Sequence, residues 1–76
     1  MHKVTRYQIV NNQSLQQVIK CGTYAECLVY LMDTVNGRAP RYVTHDETYV
    51  VTHQGLRADL KDTLGQTDLS YLISRE

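Results

Sequence analysis

The sequence predicts a small α+β domain in which an antiparallel sheet packs on one main helix, in the order ββαββα. Two runs rich in β-branched and aromatic residues come before a segment with helical apolar spacing, at residues 23–37. An alternating stretch at residues 41–53 and leucines at every fourth position follow it. The chain has 76 residues without a repeat or a linker, so residues 1–76 are expected to form a single domain.

The first two strands are predicted at residues 4–10 and 15–21, separated by a cluster of turn-forming residues. With the turn centred on residues 12–13, Tyr7 faces Val18 across the hairpin. Neither side of this hairpin is cleanly polar, which indicates either that the register is shifted by one residue or that both faces are partly covered.

The helix that follows has clear start and stop signals. Thr23 is a suitable N-cap, Glu26 completes a capping box three residues later, and Gly37 is expected to end the helix. An apolar stripe at i, i+3 and i+4 spacing is expected to face the sheet; it consists of Tyr24, Cys27, Leu28, Leu31 and Val35.

This helix is unusual because it is apolar nearly all the way round. Its charged residues are Glu26 and Asp33, whereas a solvated helix would fill its outer flanks with charge. A domain of this size seldom has enough structure to bury a helix on every side. We therefore predict a protein interface formed by Ala25, Val29, Tyr30 and Met32.

The C-terminal half is expected to contain a second hairpin at residues 41–53, turning near Asp46 and Glu47. A short helix should then carry Leu56, Leu60 and Leu64 and end at Gly65, with Asp59 and Asp62 on its exposed side. A last helical turn or two, capped by Thr67, is expected to carry Leu69, Leu72 and Ile73.

The charge balance bears on nucleic-acid binding. Eight basic and eight acidic residues give no net charge, which argues against a strongly electropositive DNA or RNA binder and equally against an acidic mimic of DNA. The first 25 residues nevertheless contain Lys3, Arg6 and Lys20 without an acid. These residues leave open an alternative, in which a dimer inserts two basic β-ribbons into nucleic-acid grooves.

Cysteines and histidines do not predict a metal site or a cofactor. Cys21 and Cys27 lack the spacing of zinc and redox motifs, and Cys27 lies on the core stripe. Cys21 comes just before a helix N-terminus, where the helix dipole lowers a thiol pKa, so a reactive cysteine stays open. The predicted second hairpin places His45 about 17 Å from His53, too far to share an ion, and His2 is in the terminal segment.

Catalysis and membrane insertion are not expected either. The sequence shows no glycine-rich phosphate loop and no nucleophile elbow, and no catalytic residue is predicted. The longest apolar run, residues 27–32, is far short of the roughly 20 residues that cross a bilayer. These observations predict a soluble, cytoplasmic protein that is not an enzyme.

Tyrosine usage favours a surface that binds other molecules. Every aromatic residue is a tyrosine, so each ring carries a hydroxyl that needs water or a polar partner. Tyrosines are enriched in protein interfaces, although tyrosines of an ordinary sheet with hydroxyls at the rim are an equal alternative. The six are Tyr7, Tyr24, Tyr30, Tyr42, Tyr49 and Tyr71.

Residues 7–32, an Asn-rich hairpin turn leading into a Thr-capped helix, resemble the small hairpin–helix proteins of phages and mobile elements. The resemblance implies a protein that binds a host protein in the host cytoplasm and blocks its surface. Together with the apolar helix, it leads us to expect a non-enzymatic protein interaction module that works as a homodimer. The alternative is the dimeric β-ribbon nucleic-acid binder.

Overall fold

The computed structural model describes residues 1–38, 48–62 and 64–76. These residues form a five-stranded antiparallel sheet with one helix, α1, on one of its faces, which confirms the α+β class. The strand order across the sheet is β2-β1-β5-β4-β3. The elements are β1 (His2–Val10), β2 (Gln13–Gly22), α1 (Tyr24–Asn36), β3 (Tyr49–Val51), β4 (Leu56–Lys61) and β5 (Thr67–Arg75).

The predicted order ββαββα is wrong for the described residues, which run ββαβββ. Both C-terminal segments predicted as helices are strands. A spacing of four residues fits a helix, but it also fits every second position of a strand. In β5 the alternating residues Leu69, Tyr71 and Ile73 are buried in the core, which is the period of a sheet. Gly65, with φ +79°, lies in the turn between β4 and β5 and does not end a helix.

Of the predicted hairpin at residues 41–53, the second strand is confirmed as β3, Tyr49–Val51. The predicted turn at Asp46 and Glu47 lies outside the described residues. The described part, β3, pairs with β4 through a turn at residues 52–55. Gly55 has φ +144°, and a Cβ added there would lie 1.8 Å from the carbonyl oxygen of Ile73. Only glycine allows this turn to lie so close to β5.

The first hairpin has its two predicted strands but a tighter turn. Asn11 and Asn12 have φ 51° and 63°, the left-handed conformation that asparagine tolerates and that favoured two-residue hairpin turns require. The turn therefore centres on these two residues, and Tyr7 faces Gln16 instead of Val18.

Helix α1 begins as predicted. The Thr23 hydroxyl accepts a hydrogen bond from the Glu26 N–H at 3.2 Å, and the Glu26 carboxylate accepts one from the Thr23 N–H at 3.0 Å. These hydrogen bonds lower the pKa of Glu26. Gly37 caps the C-terminus and donates its N–H to the Asp33 carbonyl at 2.9 Å, with a right-handed φ of −67°.

The core lies between α1 and the sheet. From the predicted stripe, Cys27, Leu31 and Val35 are fully buried, Leu28 is partly buried and Tyr24 is 45% exposed. Tyr24 lies at the rim, where its ring contacts His2 edge-on at 5.4 Å between ring centroids. The sheet side of the core consists of Val4, Ala58, Leu60, Leu69, Tyr71 and Ile73.

Tyr71 shows how a buried tyrosine satisfies its hydroxyl in this fold. Its ring is fully buried under α1. The Arg38 guanidinium, just beyond the helix C-terminus, donates a hydrogen bond to the Tyr71 hydroxyl at 3.1 Å. This contact ties the end of α1 to the centre of β5.

Within residues 1–38, 48–62 and 64–76, no helix has the length and apolar character needed to cross a membrane.

Candidate functional site

An open groove runs between α1 and β2, the strand at one edge of the sheet. Of the described strands, only β1 pairs with β2. Because α1 begins directly after β2, it runs back over the sheet and contacts β1, β2 and β5. The space between them, which we call the α1–β2 groove, measures about 470 Å³ and is lined by Lys20, Ala25, Glu26, Val29, Tyr30 and Asp33.

The α1–β2 groove has an apolar centre and charged borders. Val29 is 61% exposed. Leaving this apolar surface in water contributes nothing to the stability of the fold, whereas covering it is favourable. The Lys20 ammonium lies 6.0 Å from the centroid of the Tyr30 ring, at the outer limit of a cation–π contact. Glu26 and Asp33 supply two carboxylates at the border. Such a groove suits an apolar side chain presented by a polar main chain.

The four predicted interface residues do not all lie in this groove. Ala25, Val29 and Tyr30 line it, and Tyr30 is half-buried and also packs on the core, so part of its role is structural. Met32 is 46% exposed and does not line the groove, although it lies only about 60° round α1 from Val29 at 3.6 residues per turn.

The free edge of β2 is a feature that the sequence reasoning missed. Residues 13–18 are exposed throughout, including Leu15 at 49% and Val18 at 47%. Natural edge strands are usually protected by charges, prolines or short length. Here β2 is 10 residues long, contains no proline and carries one charge, on Lys20; its one irregularity is a bulge at Ile19, where the register with β1 shifts. The signal was readable in the sequence as a neutral, glutamine-rich strand with isolated apolar residues.

The predicted nucleic-acid contacts are divided between the two faces of the sheet. Lys3 lies with Thr5 and Tyr7 on the face away from α1. Lys20, which lines the α1–β2 groove, is on the other face. Arg6 pairs with the core residue Tyr71 across β5, and its guanidinium donates to Gln17 Oε1 at 2.7 Å. The three cations do not form one patch.

A second depression lies on the sheet face away from α1. This open-face cleft measures about 700 Å³. Within it, Asp59 Oδ1 accepts hydrogen bonds from the Ser70 hydroxyl at 2.6 Å and from Arg57 Nε at 2.7 Å. Partial burial raises the pKa of Asp59, but these hydrogen bonds and the Arg57 charge outweigh it and hold the pKa below its usual value. Other described residues that line it are Tyr7, Gln8, Ile9, Ser14, Gln54, Thr67, Asp68 and Leu72.

The two acids predicted on a helix have structural roles in the sheet. Asp59 holds Arg57 and Ser70 on neighbouring strands, as described above. Asp62 accepts hydrogen bonds from the N–H groups of Leu64 at 2.9 Å and Gln66 at 3.0 Å, which closes the β4–β5 turn. Neither carboxylate is paired with a histidine that lines the open-face cleft among the described residues.

The cysteines show no sign of activation. Cys21 is exposed, and hydrogen bonding to the Glu76 carboxylate raises its pKa, so the helix dipole does not produce a reactive thiolate here. Burial raises the pKa of Cys27 as well. The described part of the chain contains no cluster of three histidine, cysteine or acidic residues suited to a metal ion. His45 lies outside the described residues.

Comparison of the chain with protein-family models, with curated proteins and with solved structures found no match.

Proposed function

We propose that this chain is a non-enzymatic protein-binding module and that the α1–β2 groove is its binding surface. The observation that supports the proposal most strongly is Val29, 61% exposed at the centre of the groove. Covering an exposed valine and the free part of a tyrosine ring contributes about 1–3 kcal/mol to association. The proposal retains Ala25, Val29 and Tyr30 as contacts and leaves Met32 outside them.

The groove alone is too small for a stable contact, since a standard interface buries about 800 Å² on each partner. The free edge of β2 borders the groove and adds main-chain donors and acceptors to the same surface. A partner that covers both would obtain apolar burial from the groove and directional hydrogen bonds from the strand. We propose a homodimer, in which each copy supplies such a surface.

A single-charge variant tests the proposal. We expect Val29→Asp to convert a dimer into a folded monomer, because it places a carboxylate in the apolar centre of the groove. Val51→Asp is the matched control, since Val51 is also an exposed valine but lies on β3, at the other end of the strand order from β2. Sedimentation velocity gives the mass, and circular dichroism verifies the fold. A native chain that stays monomeric, or a Val29→Asp variant that stays dimeric, would overturn the proposal.

Two other expectations remain predictions. Binding to a host protein, with a cytoplasmic location, is implied by the resemblance alone. Nucleic-acid binding through Lys3, Arg6 and Lys20 would be detected as retention on heparin at low salt that is lost as salt rises. Their division between two sheet faces makes one shared nucleic-acid contact less favourable than the groove.

A further inference from the structure

We infer that the occupant of the α1–β2 groove is strand β2 of a second copy of this chain. Two β2 edges would pair antiparallel around a two-fold axis and join the five strands of each copy into one continuous ten-stranded sheet. Leu15 of each copy would then lie in the groove of the other. The inference rests on the proposed protein-binding function and names its partner.

The lengths of β2 and α1 support this pairing. Strand β2 has 10 residues and extends about 33 Å, whereas α1 has 13 residues and extends about 20 Å. Because α1 starts at the Gly22 end and runs back, it leaves the Gln13 end of β2 without a helix above it. In an antiparallel pair, the uncovered end of each β2 lies beside the covered end of the other. Each helix therefore faces the free end of the other strand.

The face of the sheet on which the β2 side chains lie also supports this pairing. Lys20 pairs with Val4, a core residue under α1, and Leu15 pairs with Gln8 on that same side of β1. Leu15 is 49% exposed and so presents an apolar side chain on the helix side of the sheet. If the two-fold axis passes through Gln17, Leu15 of the second copy lies opposite Ile19. Ile19 is the bulged residue of β2 and packs against the core, and it directly precedes Lys20, which lines the groove.

The distribution of charge along β2 favours a second copy over an unrelated strand. Like charges opposed across a strand pair destabilise it. The single charge of β2 is on Lys20, beyond the bulge at Ile19, and the residues that it would approach at the Gln13 end of the second copy are uncharged. The two Lys20 residues would lie about 20 Å apart along the pair. Strand β2 can therefore pair with β2 of a second copy without opposing like charges. The same strand supplies the apolar side chain, Leu15, and one residue that lines the groove, Lys20.

Two double variants of β2 test this register. Gln16 of one copy would face Val18 of the other, and these side chains lie on the face away from α1, beside Tyr7 and Thr5. Gln16→Lys/Val18→Lys opposes like charges twice, and we expect it to weaken dimerisation about tenfold. Gln16→Lys/Val18→Glu opposes unlike charges and should dimerise within about threefold of the native chain. The dissociation constants come from sedimentation velocity at low salt, and thermal unfolding verifies that both variants fold.

Each outcome decides one of the two proposals. If the Lys/Lys variant dimerises as tightly as the native chain while Val29→Asp is monomeric, the occupant is not β2, and only the inference is overturned. If both double variants are weakened equally, the edges pair in another register, and the register given above is wrong. A concentration of about 100 µM is on the order of the dissociation constant of a weak dimer. If the native chain is still a monomer at that concentration, both proposals are overturned.

Discussion

The two edges of the sheet differ in length and in the structure that lies beside them. Strand β2 has 10 residues, with one charge and an apolar groove beside it. Strand β3, at the other edge among the described strands, has 3 residues, and short length is a recognised protection against pairing with another chain. Val51 of β3 is 82% exposed, so β3 is no less apolar than β2. Length and the neighbouring helix, more than hydrophobicity, distinguish an edge suited to pairing from one that is not.

The largest effect is expected from detaching the helix that forms the groove. Leu31 is fully buried between α1 and the sheet. Leu31→Ala should lower the free energy of unfolding by about 2–5 kcal/mol through lost burial and a cavity. The exposed neighbour is the control, since Met32→Ala should change the stability by less than about 0.5 kcal/mol. Urea denaturation measures both, and equal effects would contradict the packing described for α1.

The turn that holds the β3 edge gives the next largest effect. Gly55→Ala should destabilise the chain by about 2–3 kcal/mol, because its Cβ would collide with the Ile73 carbonyl. Gly65 also has positive φ but has no neighbour within 4 Å of an added Cβ, so Gly65→Ala should cost only about 1 kcal/mol. Thermal unfolding compares the two. A Gly55→Ala variant as stable as Gly65→Ala would show that the turn is not held against β5.

A direct exchange of roles between the edges tests the comparison at moderate effect. Leu15→Asp on β2 should weaken dimerisation at least tenfold, because a carboxylate would enter the groove of the other copy. Val51→Asp on β3 introduces the same charge at a more exposed residue and should leave the dissociation constant unchanged. Sedimentation velocity measures both variants. Weakening by Val51→Asp of the same size would remove the distinction between the edges.

The smallest effect concerns pH and the interior of the sheet. The pKa of Asp59 is lowered in the folded chain, so its contribution to stability is present above the unfolded pKa of about 3.9 and is lost as the pH falls through the folded pKa. Asp59→Asn should therefore lower stability at pH 7 by about 0.5–1 kcal/mol, a figure reduced for solvent screening of a partly exposed carboxylate.

That difference between Asp59→Asn and the native chain should shrink as the pH falls below the unfolded pKa of about 3.9. Urea denaturation at pH 7 and at pH 3 makes the comparison. Ser70→Ala is the control, since it removes one hydrogen bond to the same carboxylate. A difference that grows toward low pH would contradict the role given to Asp59.

The sequence predicts the N-terminal half well, because its signals are local. A capping box, a 3.6-residue apolar period and two adjacent asparagines act within a few residues of one another. The prediction of two C-terminal helices is wrong, because the spacing of Leu56 and Leu60 fits both a helix and a strand. Pairing with β5 decides between them, and that contact is remote in sequence.

The candidate site was predicted only in part for the same reason. Val29 and Tyr30 were identified from the helix alone, since an apolar flank is visible as a pattern. The free edge of β2 depends on the order of strands in the sheet, which follows from β5 pairing with β1. The wall of the groove at Lys20 therefore became apparent only with the fold.

Amide hydrogen exchange, resolved by residue, tests the central claim that β2 is the pairing edge. In the native chain, exchange of the amides in Gln13–Gly22 should slow as the concentration is raised through the dimer dissociation constant, because a second β2 protects the outward-facing N–H groups. The amides of Tyr49–Val51 should exchange at a rate independent of concentration. Exchange in β2 that is independent of concentration, or equal slowing in β3, would contradict the account.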